Sequence, residues 1–151
     1  MVKIPNSPEK RFRRFSRTVD EKKVLIVDDE SSILAMLKEA FNQDGYTVRT
    51  AENAEDALKI LKDETIRVMF LDLKLPGVSG IDLCRRIRAT DQISIVHAFT
   101  GYSTYYGLME CRTAGFDDFF VKPVEINVLI KAAADAFEKL TRWKVNDYTV
   151  K

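Results

Sequence analysis

Five polar side chains follow apolar, strand-like stretches of the chain, and their types fit phosphoryl chemistry. They are Asp28, Asp29, Asp72, Thr100 and Lys122. Three carboxylates held together repel one another unless a cation lies between them, and carboxylate oxygens are the ligands that Mg²⁺ prefers. A carboxylate can attack phosphorus to give an acyl phosphate, while an ammonium and a hydroxyl group contact the phosphoryl oxygens. The set predicts an aspartate nucleophile, a divalent metal ion and two groups that sense the phosphoryl group.

Asp72 is the centre of this prediction. It ends the apolar run 68–71, and Pro76 and Gly77 break the chain soon after it. In a parallel α/β sheet, ligands bind at the carboxyl edge, where such a residue would lie. We therefore expect the chemistry of this chain to take place at Asp72.

Strands and amphipathic helices alternate strictly along residues 22–142. The strands are predicted at 22–27, 46–51, 68–71, 93–99 and 119–121. Apolar residues at helical spacing follow each strand, and Asn53 can cap the second helix. This alternation predicts a doubly wound, flavodoxin-like α/β fold, in which helices cover both faces of a parallel sheet. All strand ends then face one edge, which brings the polar residues together.

Charge is distributed unevenly along the chain. Of 24 basic and 23 acidic residues, six basic and one acidic residue lie in residues 1–17, so the remainder has a net charge of −4. Residues 1–21 lack sustained periodicity and are predicted to form a flexible basic arm, and residues 143–151 a tail or the start of a linker. A solvated tail is the simpler interpretation of the arm. Nucleic acid or an anionic membrane is the alternative, because Phe12 and Phe15 lie among the cations.

Composition narrows the class of protein. A chain of 151 residues accommodates about one domain, and no apolar run approaches the roughly 20 residues of a membrane span. The N-terminus lacks the apolar core of a signal peptide. Cys84 and Cys111 are far apart and form no metal-binding pair, so we expect reduced thiols. A cytoplasmic protein is the resulting expectation.

Four segments resemble the receiver domain of two-component response regulators: VLIVDDE, FLDLKLPGVSG, AFTGYS and DDFFVKPV. The resemblance covers roughly residues 22–142 and implies a five-stranded sheet of order 2-1-3-4-5 with five helices. By position, it implies that Asp72 is the phosphoacceptor and that Asp28 and Asp29 are the acidic metal-binding pair. It also implies that Thr100 is the switch hydroxyl and Lys122 the lysine that contacts the phosphoryl group.

The resemblance implies further parts of a switch. Phe119 falls at the family's aromatic switch position, although alternation in a short strand also fits a simple core residue. The backbone carbonyl of Lys74 would be another ligand of a Mg²⁺ or Mn²⁺ ion. Lys74 and Tyr102 follow Asp72 and Thr100 by two residues, and we expect them to flank the path of an attacking water and modulate the lifetime of the acyl phosphate.

The resemblance also implies partners. A histidine kinase or phosphotransfer protein would donate the phosphoryl group. The surface formed by the fourth helix, fifth strand and fifth helix would then act on a downstream protein, an output domain or a second copy of the chain in a homodimer. The sequence does not decide between a stand-alone regulator and a fragment of a longer protein.

Two other functions stay open at this stage. One is a phosphorylation-independent binding module whose basic arm engages nucleic acid. The other is a metal-dependent phosphohydrolase; Lys74 argues against it, because such enzymes usually need an acid two residues after the nucleophile.

His97, the only histidine, is expected to be a partly buried neutral imidazole with one satisfied nitrogen, and a modest pH-sensing role is the alternative.

Overall fold

The structure is a computed structural model that describes residues 22–101 and 105–150. Strands and helices alternate along these residues. The strands are β1 (Lys23–Val27), β2 (Thr47–Ala51), β3 (Val68–Leu71), β4 (Ile95–Thr100) and β5 (Asp118–Val121). The helices are α1 (Ser31–Gln43), α2 (Ala54–Asp63), α3 (Gly80–Thr90), α4 (Tyr105–Ala114) and α5 (Ile126–Val150). No helix in these ranges is long and apolar enough to cross a membrane.

The strands form one parallel sheet in the order β2-β1-β3-β4-β5, which confirms the predicted fold. Val27 of β1 is the register partner of Leu71 in β3, and Leu71 is the partner of Ala98 in β4. Since β1 and β3 end side by side, the residues that follow them, Asp28 and Asp72, are neighbours at the carboxyl edge.

Two large apolar clusters enclose the sheet. One lies between the sheet and helices α1 and α5 and includes Phe41, Phe70 and Leu129. The other lies between the sheet and helices α2, α3 and α4 and includes Met69 and Leu83. Burial on both faces explains why β1 and β3 are almost continuously apolar rather than alternating.

Local signals place the helix ends where the sequence predicts them. The Asn53 side chain accepts a hydrogen bond from the Asp56 N–H at 2.8 Å and caps α2. Gly45 follows α1 with a φ of +95°, a left-handed conformation that glycine adopts without a steric penalty. These features fix the direction in which the chain returns to the sheet.

The structure differs from the sequence-based boundaries by more than one residue at two places. Strand β4 begins at Ile95 rather than at Ile93, because the Asp91 side chain accepts hydrogen bonds from the N–H groups of Ile93 and Ser94 and holds them in a turn. Helix α5 continues through residues 143–150, where a tail or linker is predicted. The predicted basic arm, residues 1–21, lies outside the described residues.

Candidate functional site

Asp72 is fixed by the sheet at the base of a cleft. Its N–H donates to the Val27 carbonyl at 2.9 Å, which continues the β1–β3 pairing one residue past the strand. The residue is only 6% exposed. The Lys74 N–H lies 3.3 Å from Asp72 Oδ1 and donates to it. The side chain therefore occupies a defined position, with one face directed to the cleft.

Two further carboxylates lie beside Asp72. Asp28 is fully buried, and its Oδ1 accepts a hydrogen bond from the Glu30 N–H at 2.9 Å. Asp29 is exposed and has no hydrogen bond or ion pair to any residue within 22–101 and 105–150. One oxygen from each of these three aspartates lies within 4.8 Å of the others, so the three can share one cation.

Lys122 reaches the same cluster from the residue after β5. Its Nζ lies 2.6 Å from Asp28 Oδ2 and 3.3 Å from Asp72 Oδ2. It also lies over the Phe99 ring, 4.7 Å from the centroid, where the aromatic face favours a cation. The Lys122 N–H donates to the Thr100 carbonyl at 2.8 Å, and the peptide bond to Pro123 is cis. One ammonium thus bridges two carboxylates.

The charges of this cluster do not balance. Burial raises the pKa of Asp72, and the Asp28 carboxylate raises it further, while Lys122 opposes both. Burial lowers the pKa of Lys122, but its hydrogen bond to Asp28 and the charge of Asp72 outweigh burial, so this pKa lies above its ordinary value. With Asp29 included, the cluster holds three carboxylates, and the Lys122 ammonium contacts two of them. The donor set fits a hard divalent cation such as Mg²⁺, which takes oxygen ligands only.

Thr100 borders the cleft above Asp72. It is the last residue of β4 and is 1% exposed, and it pairs in register with Val121 of β5. The cleft has a volume of about 590 Å³, and its lining includes Asp29, Asp72, Lys74, Thr100 and Lys122. It is large enough to admit a phosphoryl group with its hydration. Tyr102, the predicted modulator, lies outside the described residues.

Phe119 is connected to the Asp72 loop by packing. It is half-buried and contacts a small apolar cluster made of Leu73, Ala98 and Cys111. Leu73 is the residue that follows Asp72, and Cys111 belongs to α4. A displacement of the Asp72 loop would therefore meet Phe119 and α4 through direct contacts.

His97 lies away from the cleft and is more deeply buried than predicted. It is 3% exposed, its Nδ1 is 2.9 Å from the Met69 carbonyl, and its ring stacks on Phe70 with centroids 4.3 Å apart. Because a carbonyl only accepts hydrogen bonds, Nδ1 carries the proton. Burial lowers the pKa of the imidazole, against the effect of the Met69 hydrogen bond. The expectation of one satisfied nitrogen is met, but the ring is core rather than partly buried.

Gly80 is a site residue that sequence reasoning did not single out. A Cβ on Gly80 would lie 2.0 Å from the Asp72 carbonyl oxygen and 2.8 Å from Leu73 Cα. The Gly80 N–H donates to the Leu73 carbonyl at 2.9 Å. Helix α3 therefore begins in direct contact with the Asp72 peptide. The signal was a glycine directly after the helix cap Ser79, where a poor helix former needs a packing reason.

A second unpredicted feature is a polar network at the amino edge of the sheet. The Arg88 guanidinium donates to the carbonyls of Gly115 at 2.9 Å and Ser94 at 2.6 Å, and to the Asp117 carboxylate at 2.8 Å. Asp117 also accepts the Val96 N–H at 2.8 Å. We call these residues the Arg88 network. It ties α3 to the α4–β5 turn, and it lies at the end of the sheet opposite Asp72.

Comparison with known proteins identifies the family. Residues 24–134 match the family model described as the response regulator receiver domain. The chain belongs to this family. Membership confirms the resemblance drawn from the sequence, and it makes the chain a regulatory phosphoacceptor domain by class rather than a catalytic enzyme.

Individual relatives of this receiver domain support the family assignment. It is 34% identical over 124 residues to sporulation initiation phosphotransferase F of Bacillus subtilis, covering 82% of this chain and 97% of that one. It is 36% identical over 106 residues to the transcriptional regulatory protein AfsQ1 of Streptomyces coelicolor, covering 70% of this chain. The match spans about half of AfsQ1, 47% of its length. A CheY-like receiver domain from Methanospirillum hungatei superposes with a TM-score of 0.77 at 26% identity, over 80% of this chain and 96% of that one.

Proposed function

We propose that this receiver domain is a phosphorylation-controlled switch in which Asp72 takes a phosphoryl group from a phosphohistidine. The donor would be a histidine kinase or a phosphotransfer protein. The observation that carries the proposal is the buried Asp72 carboxylate, set among two further carboxylates and 3.3 Å from the Lys122 ammonium. In the transfer, an Asp72 Oδ–P bond forms while the P–N bond of the phosphohistidine breaks, and the imidazole leaves with the electron pair.

The neighbouring residues have complementary roles in this proposal. Asp28, Asp29, Asp72 and the backbone carbonyl of Lys74 would hold Mg²⁺ or Mn²⁺, which would offset the charge of the phosphoryl oxygens. Lys122 would exchange its Asp72 oxygen for a phosphoryl oxygen, because its contact to Asp72, at 3.3 Å, is longer than its contact to Asp28, at 2.6 Å. The hydroxyl group of Thr100 would donate to the phosphoryl group.

The response would reach the surface through β4 and β5. Thr100 pairs with Val121, and Phe119 packs on the residue after Asp72, so the phosphoryl group can favour one arrangement of these contacts over another. Large apolar side chains are exposed on α4, β5 and the start of α5, namely Leu108, Met109, Val121 and Val128. We propose this surface as the contact for a downstream protein, an output domain or a second copy.

Treatment with acetyl phosphate or beryllofluoride, with and without Mg²⁺, tests the switch. We expect a covalent label or an amide NMR response that requires Mg²⁺ and is lost in Asp72→Asn. Asp82→Asn is the matched control, because Asp82 is an exposed aspartate paired with Arg85 on α3. A label that persists in Asp72→Asn, or a response independent of Mg²⁺, would contradict the proposal.

The nucleic-acid alternative depends on residues 1–17, which lie outside the described residues. Its test is a mobility-shift assay of the full chain against a variant without residues 1–17, at low and high salt. Binding that disappears on deletion and falls steeply with salt supports it. The phosphohydrolase alternative predicts rapid turnover of small phosphomonoesters with Mg²⁺; the exposed lysine at position 74 supplies no leaving-group acid for that reaction.

A further inference from the structure

A long groove runs between α2 and α3, on the side of the domain away from β5. Two adjoining cavities of about 700 and 310 Å³ form it, and they share Leu58, Lys62 and Arg86. Its upper end is made by Pro76 and Val78 of the loop that follows Asp72. We call this feature the α2–α3 groove. It is distinct from the Asp72 cleft and from the α4–β5–α5 surface.

The floor of the α2–α3 groove is apolar. Leu58 and Leu61 of α2, and Val78 of the Asp72 loop, pack against the second core cluster while remaining only half-buried. Pro76 is exposed beside them. Apolar side chains that line a groove and keep access to solvent are typical of a surface that a partner covers.

The rim of the groove carries cations without counterions. Lys59, Lys62 and Arg86 are exposed, and none makes an ion pair or side-chain hydrogen bond with a residue that the structure describes. Glu55 is the one acid of the groove's upper cavity, and it likewise has no ion pair among these residues.

The other acids of the groove are already occupied. Glu64 pairs with Arg49 at 2.8 Å and with Lys23 at 3.5 Å, and Asp91 pairs with Arg67 at 3.1 Å. The rim is therefore positive, although residues 18–151 as a whole carry a net charge of −4. A positive rim on an acidic body is a charge pattern that selects a negative partner.

We propose that the α2–α3 groove docks an amphipathic segment of a partner protein whose apolar side chains are flanked by Asp and Glu. The apolar floor favours such a peptide over nucleic acid, whose phosphates would meet Glu55 and gain nothing from Leu58 and Val78. The basic arm of this chain does not fit, because residues 1–17 carry a net charge of +5. The docking does not depend on phosphorylation of Asp72.

The test uses the full, unphosphorylated chain and three probes in amide NMR titrations. The first probe is a synthetic helical peptide with leucines on one face and glutamates beside them. The second has the same composition in scrambled order, and the third is a short oligothymidylate. We expect the amphipathic peptide to bind about tenfold more tightly than the scrambled one and to shift the amides of residues 54–62, 76–78 and 86–90.

Charge-reversal variants locate the site. We expect the affinity for the amphipathic peptide to fall about tenfold in the triple variant Lys59→Glu/Lys62→Glu/Arg86→Glu. Lys38→Glu/Arg112→Glu/Lys139→Glu makes the same change in charge on other exposed surfaces, and we expect it to alter the affinity less than about twofold. Val78→Ala should weaken the peptide without changing the charge.

Three outcomes would overturn the proposal. They are equal binding of the scrambled peptide, tighter binding of the oligothymidylate, and equal loss of affinity in the two triple variants. A dispersed amide spectrum and a cooperative urea transition in each variant show that the domain is folded. Because the titrations use unphosphorylated protein, a failure of the groove is separate from a failure of the proposed switch.

Discussion

The two edges of the sheet both hold buried or half-buried charges, and they satisfy them differently. At the amino edge, the Arg88 guanidinium faces one carboxylate, Asp117, and backbone carbonyls take its remaining N–H groups. At the carboxyl edge, the single Lys122 ammonium faces both Asp28 and Asp72. In the first arrangement, one positive charge faces one negative charge, so the two balance. In the second, two carboxylates share one ammonium, and this is the arrangement for which we propose a cation site.

The type of cation at each edge also fits this difference. A guanidinium is planar, and its N–H groups point in fixed directions, so Arg88 suits a network whose partners do not move. An ammonium on a flexible stem can change partners, and Lys122 has a looser contact to Asp72 than to Asp28. The comparison predicts that the carboxyl edge responds to Mg²⁺ and that the amino edge does not.

The largest effect should come from removing the cation at either edge. Arg88→Met and Lys122→Met should each lower the free energy of unfolding by about 3 kcal/mol without Mg²⁺. Lys122→Met leaves two carboxylates without their ammonium, and Arg88→Met leaves the Gly115 and Ser94 carbonyls without their donor. With Mg²⁺, most of the loss in Lys122→Met should be recovered, since a divalent cation replaces the ammonium. The loss in Arg88→Met should stay the same. Urea unfolding with and without Mg²⁺ measures both.

Equal recovery of the two variants in Mg²⁺ would contradict the comparison, because the Arg88 network would then also respond to the ion. Arg85→Met is the control for the loss of an exposed arginine on α3. Its ion pair with Asp82 is on the surface, and we expect a change below about 0.5 kcal/mol.

The next effect is steric and concerns the carboxyl edge alone. Gly80→Ala places a methyl group against the Asp72 carbonyl, so either α3 or the Asp72 loop must move. We expect a loss of about 2 kcal/mol in the free energy of unfolding. We also expect labelling by acetyl phosphate to slow by tenfold or more, because the nucleophile is displaced. Urea unfolding and the initial labelling rate give the two values.

Gly101→Ala is the matched control for Gly80→Ala. It adds the same methyl group beside the same cleft, but among the described residues no atom other than those of its chain neighbours lies within 4 Å of it. We expect its stability and labelling rate to stay near those of the parent. If Gly80→Ala is labelled at the parental rate while remaining folded, the contact between α3 and the Asp72 peptide has no part in positioning the carboxylate.

A smaller expected difference between the two edges is how folding stability depends on pH. The pKa of Asp72 is raised by burial, so in the window above the ordinary aspartate value the folded protein holds a proton that the unfolded chain has released. Stability without Mg²⁺ therefore falls as the pH rises through this window. The side chain at position 72 of Asp72→Asn cannot ionise. We therefore expect the free energy of unfolding of this variant to increase relative to that of the parent as the pH rises from acid to neutral. Urea unfolding across this range measures the difference.

Asp91, beside the amino edge, should change the stability of the protein with pH in the opposite direction to Asp72. Burial acts to raise its pKa, but hydrogen bonds from Ser94 and Ile93 and the charge of Arg67 outweigh burial, so the pKa is lowered. Its ionised form therefore adds stability that is lost as the pH falls through the lowered pKa. Asp91→Asn should lose stability relative to the parent as the pH rises. The same sign for both variants would contradict the contrast.

The smallest effect uses the two thiols as reporters. Burial raises the pKa of Cys84 and Cys111 to about 11, so both should react slowly with iodoacetamide at neutral pH. Cys111 contacts Leu73 and Phe119, whereas the Cys84 thiol donates to the Ala114 carbonyl within the second core cluster. With beryllofluoride and Mg²⁺, we expect a few-fold faster labelling at Cys111 only, detected by peptide mass spectrometry. Equal acceleration at both thiols would indicate general loosening instead.

The sequence predicts the carboxyl edge better than the amino edge, for a physical reason. Asp28 and Asp72 each follow a short apolar strand, and parallel pairing alone brings such residues together. Arg88 and Asp117 meet because α3 and the α4–β5 turn pack side by side, and no periodicity in the sequence records that contact. The need for glycine at position 80 is likewise absent from the sequence pattern, because it arises from the Asp72 carbonyl oxygen, which would lie 2.0 Å from a Cβ at this position.

The strand boundaries were predicted to within one residue where apolar runs define them. The start of β4 was not, because the Asp91 side chain competes for the N–H groups of Ile93 and Ser94. The roles of Thr100, Phe119 and Lys122 in phosphorylation stay predictions, since the geometry alone does not test them. Tyr102 lies outside the described residues.

The contact between Lys122 and Asp28 also has a consequence for how the protein is made. The two residues are 94 positions apart in the chain, and Lys122 and Asp72 are 50 apart. A growing polypeptide that has released β1, β3 and β4 from the ribosome holds both aspartates but not the lysine. Because β5 is the last strand along the chain, only a chain that has formed the full sheet places the Lys122 ammonium beside both carboxylates. Under the proposed function, a chain that has not yet added β5 would therefore lack part of the phosphoacceptor site.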